Sequence, residues 1–205
     1  MKKRKLNFSN FDRTKALKFL GIEQLQQWTL TPDNTAPSSF FAQRLARLQE
    51  TFDLTTSEKA KELIVDAFCE EAITHYPQFR WWKGAALSSD RLTGIVDYLL
   101  APRRAYIDTP VLCVVEAKKD NFDQGQAQCW VEMHACQWRN AQAGAGTLLP
   151  VYGIVTNGDV WRFYCLDEKG QLFESIAYTY FQQESLLGML HHLLGLCLLS
   201  LMTQA

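Results

Sequence analysis

The residues best placed to do chemistry are Asp97, Glu116 and Lys118. Asp97 follows the apolar run of Gly94, Ile95 and Val96, and Glu116 and Lys118 close a longer run that begins after Pro110. Runs of β-branched and aliphatic residues bounded by Gly, Pro and polar turns predict strands over 94–98 and 111–118. Side chains alternate across a strand, so Glu116 and Lys118 are expected on one face with Leu112 and Val114. Two carboxylates and an ammonium meeting at one sheet edge can hold a hard divalent cation, which prefers oxygen ligands.

The elements around these strands supply further candidates. Thr55 to Ser57 offers caps for a helix over 58–75, whose apolar stripe is Ala60, Leu63, Ile64, Ala67 and Phe68. Glu71 falls on that stripe, with Asp66 and Glu70 to its flank. A buried carboxylate is costly unless paired or metal-bound; either Glu71 is such a group, or the stripe ends a turn early and Glu71 is solvated. The cluster Phe79, Arg80, Trp81, Trp82 and Lys83 reads either as a nucleic-acid platform or as an amphipathic first strand with snorkelling cations. Arg103 and Arg104 lie in the connector 101–110, where they either reach a phosphate backbone or are plain solvated charge. Lys119, directly after the second strand, joins them as a candidate phosphate contact.

Beyond it, Asn121 and Gln124 fit a helix N-cap and its third-position partner, for a helix running to about residue 140. Gly125, Gln128, Glu132 and Ala135 share one face of that helix, and the small residues allow a close approach to a sheet. Gln128 therefore either points at the strand ends or is an ordinary surface amide. Strands are expected over 151–156 and 160–166 about an Asn157-Gly158 turn, with a third over 172–178. A last helix over 183–202 is apolar on almost every side, so it must be central to the core or covered by another chain. Gly188, Gly195, His191 and His192 interrupt it and argue against a membrane span.

At 205 residues with 47% apolar and 21% charged residues, the chain can bury a sizeable core. A formal net charge of −1 excludes a surface coated in positive charge, so a nucleic-acid partner would need a local basic patch. Six cysteines, Cys69, Cys113, Cys129, Cys136, Cys165 and Cys197, show no paired spacing. They read as buried thiols suited to a reducing cytoplasm rather than as a zinc site. No apolar signal core follows the basic Lys2 to Lys5, which argues against secretion. No Ser/His/Asp or Cys/His set can be picked out.

Asp97, then Glu116-Ala117-Lys118, then a helix carrying a glutamine, resembles the PD-(D/E)XK nuclease superfamily, in particular the nuclease domains of type I restriction enzyme R subunits. The likeness spans about 57–166, and Val96 departs from it by standing where a proline is common. It implies an α/β (α+β) fold with a restriction-endonuclease-like core. That core is a central mixed β-sheet flanked by helices in the order αβββαβ, here with an extra β-hairpin and a C-terminal helix. The expected organisation is a basic, helical extension over 1–56, a nuclease-like core over 57–180 and an apolar helix over 181–205.

The resemblance further implies a metal-dependent nuclease, acting on DNA first, in defence or repair. Asp97, Glu116 and the Ala117 carbonyl would hold Mg²⁺ or Mn²⁺, with Glu71 completing the set. Lys118 would act on the water or phosphate, and Gln128 would fix Lys118 or the water. The alternative is an inactive nuclease-fold subunit that forms a homodimer or binds a partner through 183–202.

Overall fold

The computed structural model describes residues 4–118, 121–144 and 148–203. A two-residue strand β1 (Leu6–Asn7) leads into helix α1 (Arg13–Leu20), capped by the Asp12 side chain on the Lys15 amide and stopped by Gly21 at φ 69°. Strand β2 (Gln26–Gln27) and helix α2 (Ser39–Thr51) follow. Ser57 caps α3 (Glu58–Ile73), its Oγ accepting from the Ala60 amide at 3.1 Å. Then come β3 (Phe79–Ser88), β4 (Leu92–Pro102) and β5 (Cys113–Ala117). Helix α4 (Phe122–Ala143) opens on Asn121, whose Oδ1 accepts from the Gln124 amide at 3.0 Å. The chain ends with β6 (Val151–Thr156), β7 (Val160–Leu166), β8 (Leu172–Glu174), β9 (Tyr178–Thr179) and α5 (Gln183–Met202).

The strands form one mixed sheet in the order β1-β4-β5-β6-β7-β8-β2, with β3 on β4 and β9 on β7. Strands β4 and β5 are antiparallel, β5 and β6 parallel, and β6 and β7 antiparallel. Helix α4 is the crossover between the two parallel strands, as a parallel pair requires. One face of the sheet packs on α2, α3 and α5, through Phe68, Val115, Trp161 and Leu190 among others. The other packs on α1 and α4, through Val114, Trp130, Met133 and Val155. The protein is thus a mixed α/β chain whose sheet is flanked by helices, with one apolar layer on each face.

Several details differ from the sequence expectation. The extension over 1–56 adds β1 and β2 to the sheet, each pairing in parallel, with β4 and β8; strands two residues long carry no periodicity to read. The strand expected over 172–178 divides where Ser175 exchanges hydrogen bonds with the Phe163 backbone. Leu112 and Val114 do not share a face. The strand proper begins at Cys113, so Leu112 joins the α3 side while Val114 faces α4.

Helix α5 is the one described helix long and apolar enough to cross a membrane, and half of its most apolar window is buried within the fold. Its inner side comprises Leu186, Leu187, Leu190, Leu193, Leu194 and Cys197. Gly188 lets the loop between β2 and α2 lie on it: a Cβ there would stand 2.1 Å from the Asp33 carbonyl oxygen. Glycine to alanine in a helix normally stabilises by about 0.5–1 kcal/mol. Here overpacking against backbone costs about 1–3 kcal/mol and wins. Gly188→Ala is therefore expected to lower the midpoint of urea unfolding.

Candidate active site

The β4–β5 ladder pairs Leu100 with Cys113, Leu99 with Val114 and Tyr98 with Val115. One step further sets Asp97 opposite Glu116, and directly opposed residues place their Cβ atoms about 4.5–5.5 Å apart on one side of a sheet. The regular ladder stops there. Asp97 Oδ2 instead accepts the Ala117 amide at 2.8 Å, so a side chain continues the pairing. On the other side, the β3 residue that falls opposite Asp97 is Gly84, in the left-handed region at φ 59°, between the pairs Lys83–Tyr98 and Ala85–Val96.

Glu116 is 0% exposed. Lys118 Nζ lies 2.6 Å from Glu116 Oε1 and 3.8 Å from Glu58 Oε1. That ion pair satisfies Oε1, while Glu116 Oε2 has no hydrogen-bond partner among the described residues. Helix α4 closes over the group. A Cβ at Gly125 would stand 3.0 Å from Lys118 Cγ and 3.2 Å from Val155 Cγ1, so the glycine permits the approach. Gln128 and Glu132 follow at helical spacing, both buried, with Gln128 Nε2 donating to Glu132 Oε1 at 3.3 Å. Glu132 Oε2 has no partner.

Burial sets the protonation of this cluster. It pushes the Glu116 carboxyl up to about 8, with the Asp97 charge adding to the shift and Lys118 opposing it. Glu132 is raised well above the usual carboxylate range by burial and then by Glu116. Asp97 is raised by burial, against the pull of the Ala117 amide and Lys118. For Lys118 burial works against the charge, but Glu116 foremost, then Asp97 and Glu58, outweigh it and raise its pKa.

Of the expected site residues, the fold brings together Asp97, Glu116, Ala117, Lys118 and Gln128, although Gln128 bonds to Glu132 and not to Lys118. Glu71 lies elsewhere. It is roughly 20 Å further along α3 than Glu58, and its carboxylate accepts the Ser38 amide at 2.8 Å and the Ser38 hydroxyl at 2.9 Å. It is indeed a paired acid on a half-buried face, but its partner is the start of α2.

Arg103 and Arg104 also lie apart, roughly 20 Å along β4 from Asp97. They are held locally, Arg103 Nε by the Phe79 carbonyl and Arg104 by Asp108 at 3.9 Å. Lys119 is outside the described residues. The 79–83 cluster forms the start of β3; Lys83 pairs with Asp66 at 2.9 Å and Glu62 at 3.4 Å, and Arg80 lies over the Trp82 ring.

Three carboxyls near the centre were not singled out from sequence: Glu58 and Glu62 at the start of α3, and Glu132. Glu58 and Glu62 both bear electrostatically on Asp97. Glu58 lies in the first turn, where any helix favours an acid, which hides a second role, and Glu62 follows one turn later. Glu132 was legible as a face-mate of Gln128, but its burial was not.

Among the described residues no three His, Cys, Asp or Glu side chains form a ready-made metal cage. Mg²⁺ does not demand one, since it is commonly held by one or two carboxylates and keeps several waters. Two opposed carboxyls, each held through one oxygen by Ala117 or Lys118, suit that kind of ion. No protein-family model matches the chain, and no curated protein matches it in sequence.

The Glu116 shift has a consequence for stability. The unfolded group titrates near 4.5 and the folded one near 8, so between these values the folded state retains a proton that the unfolded state has lost. Stability from this group is full below about pH 4.5 and is lost as pH rises through about 8. The slope is at most about 1.4 kcal/mol per pH unit. Urea unfolding in EDTA across pH 5–8 is expected to show the decline, and Glu116→Gln to flatten it.

Proposed function

We propose that the protein is a metal-dependent phosphodiesterase acting on nucleic acid, with DNA the first substrate to test and defence or repair its setting. The observation that carries this reading is the meeting of Asp97, Glu116 and Lys118 where β4 and β5 part, on opposed strand positions and at the foot of α4. The sequence of α3, three antiparallel strands, α4 and a strand parallel to β5 supports a restriction-endonuclease-like core. The buried free cysteines suit a reducing cytoplasm.

Asp97 and Glu116, with the Ala117 carbonyl, would hold Mg²⁺ or Mn²⁺. Such an ion, when bound, polarises a phosphoryl oxygen and makes a bound water more acidic. Asp97 is held in place by the Ala117 amide and needs no ion to be oriented. Lys118, anchored between Glu116 and Glu58, keeps a full positive charge beside the place where a phosphate would gain negative charge. Glu58 and Glu62 hold the helix side of the cleft acidic, which favours a cation over a bare phosphate. The contact that Gln128 makes with Glu132 holds its amide against that carboxyl.

A second reading is a non-cleaving subunit of the same fold. It is favoured by the absence of Arg103 and Arg104 from the site and by the exposure of Leu199 and Met202 near the end of α5, where a second copy or another protein could pack. It requires no metal and predicts stable association through 183–202.

The two separate on one assay. Supercoiled DNA, single-stranded DNA and RNA are incubated with the protein in Mg²⁺ or Mn²⁺. The nuclease reading expects cleavage that falls about 100-fold or more in Asp97→Ala and in Lys118→Ala. Cleavage by both variants at the wild-type rate overturns it.

A further inference from the structure

The fold contains one carboxyl with no structural return for its burial. Glu132 is 0% exposed, receives a hydrogen bond from the neutral Gln128 amide at 3.3 Å, and leaves Oε2 without a partner among the described residues. A glutamine in the same place could accept the same hydrogen bond without the charge. Burial of an ionisable group without a partner opposes its charged form, so the position is poorly suited to a glutamate unless something positive binds there. The cation that bears on it among the described residues, Lys118, is engaged with Glu116 and Glu58.

Its unpartnered oxygen is not isolated. Glu116, also 0% exposed, has the Lys118 ammonium against Oε1 but no partner for Oε2 among the described residues, so each of these two fully buried carboxyls keeps one oxygen unsatisfied. Glu116, Asp97 and Lys118 are the charged groups that Glu132 feels, so the cluster holds three carboxyls against one ammonium. Native proteins satisfy nearly all buried polar atoms, and a concentration of exceptions on acceptors of one sign points to a missing positive partner. Hydrogen-bond donors from α4 do not fill that need, because the helix brings only the Gln128 amide to the spot.

We infer that Glu132 is a third carboxylate of the cation site, contributed by α4 on the side away from Glu58, and that it binds the ion directly or through a water. This rests on the metal-binding part of the function proposed above, which otherwise draws its ligands from β4 and β5 alone. Gln128 then has a defined task, to hold the Glu132 carboxyl by one oxygen and leave the other free. Gly125 has one too, because α4 must lie close for a glutamate to reach the strand end.

The test needs no catalysis. Mn²⁺ binding is measured by calorimetry on the wild type, Glu132→Gln and Asp97→Asn, together with melting temperatures with and without Mn²⁺. Glu132→Gln is expected to fold, to melt without metal at or above the wild-type temperature, and to bind Mn²⁺ about 10-fold or more weakly, the scale seen when a supporting residue of a metal site is lost. A Glu132→Gln protein that binds Mn²⁺ within threefold of wild type overturns the inference while leaving the nuclease reading in place. So does one that loses affinity only because it has lost metal-free stability. Wild-type protein that is folded and binds no Mn²⁺, in the same buffer, removes the metal-dependent reading itself and this inference with it.

Discussion

A carboxyl placed inside a protein must find positive charge or donors within a few ångströms, and the layout around Glu116 follows from that requirement. The nearest answer is on its own strand. With a side-chain period of two, residue 118 falls on the same face as residue 116, so Lys118 can fold back onto it at 2.6 Å. That solution moves the problem one step, since Lys118 is now itself half-buried and must keep its charge. Glu58 at the start of α3 helps to hold it from one side. Helix α4 covers its stem from the other, which is feasible because position 125 has no side chain. Helix and strand geometry are thus tied together by one ion pair.

The local break in the sheet belongs to the same arrangement. A continuous ladder between β4 and β5 would use the Ala117 region for backbone pairing and hold Asp97 as an ordinary strand residue. Instead the Asp97 carboxylate takes the Ala117 amide, while Gly84 relaxes the neighbouring strand at the position facing Asp97. The strands part beside the two acids, and the sheet offers a notch where it would otherwise offer a closed edge. Position matters as well as chemistry, because helices from both faces of the sheet contribute groups there: Glu58 and Glu62 from α3, Gln128 and Glu132 from α4.

Much of this was legible in the sequence because it depended on local pattern. Asn121 and Ser57 announce their helices by cap chemistry that needs no tertiary context, and both make the expected bonds. The strands Val151–Thr156 and Val160–Leu166 and the helix Gln183–Met202 stand where their apolar runs put them. What could not be read depended on distant partners. Glu71 sits in an apolar stripe for a sound reason, but the group that satisfies it is Ser38, thirty-three positions away in a loop without periodicity. Leu112 and Val114 were assigned one face because alternation was assumed to begin at Pro110, whereas the strand starts later. Arg103 and Arg104 follow Asp97 closely in sequence, yet an extended strand carries them away from it at over 3 Å per residue.

The groups at the notch divide by how they are held. Asp97 is fixed by a backbone amide, and Lys118 by two carboxylates, so both are oriented before anything binds. Their placement costs no reorganisation when charge develops nearby, which is the condition under which fixed charges and dipoles act most strongly. Among the described residues the buried side-chain oxygens left without a partner are one on Glu116 and one on Glu132. A buried network whose members were all satisfied would rigidify the fold and bind nothing, and one with no satisfied members would not hold its shape. Fixed groups on one side and free acceptors on the other leave a site that is built yet still short of positive charge, and it is that shortfall, more than the mere presence of acids, that distinguishes the notch from the solvated ion pairs Lys15–Asp12 and Arg104–Asp108 on the surface.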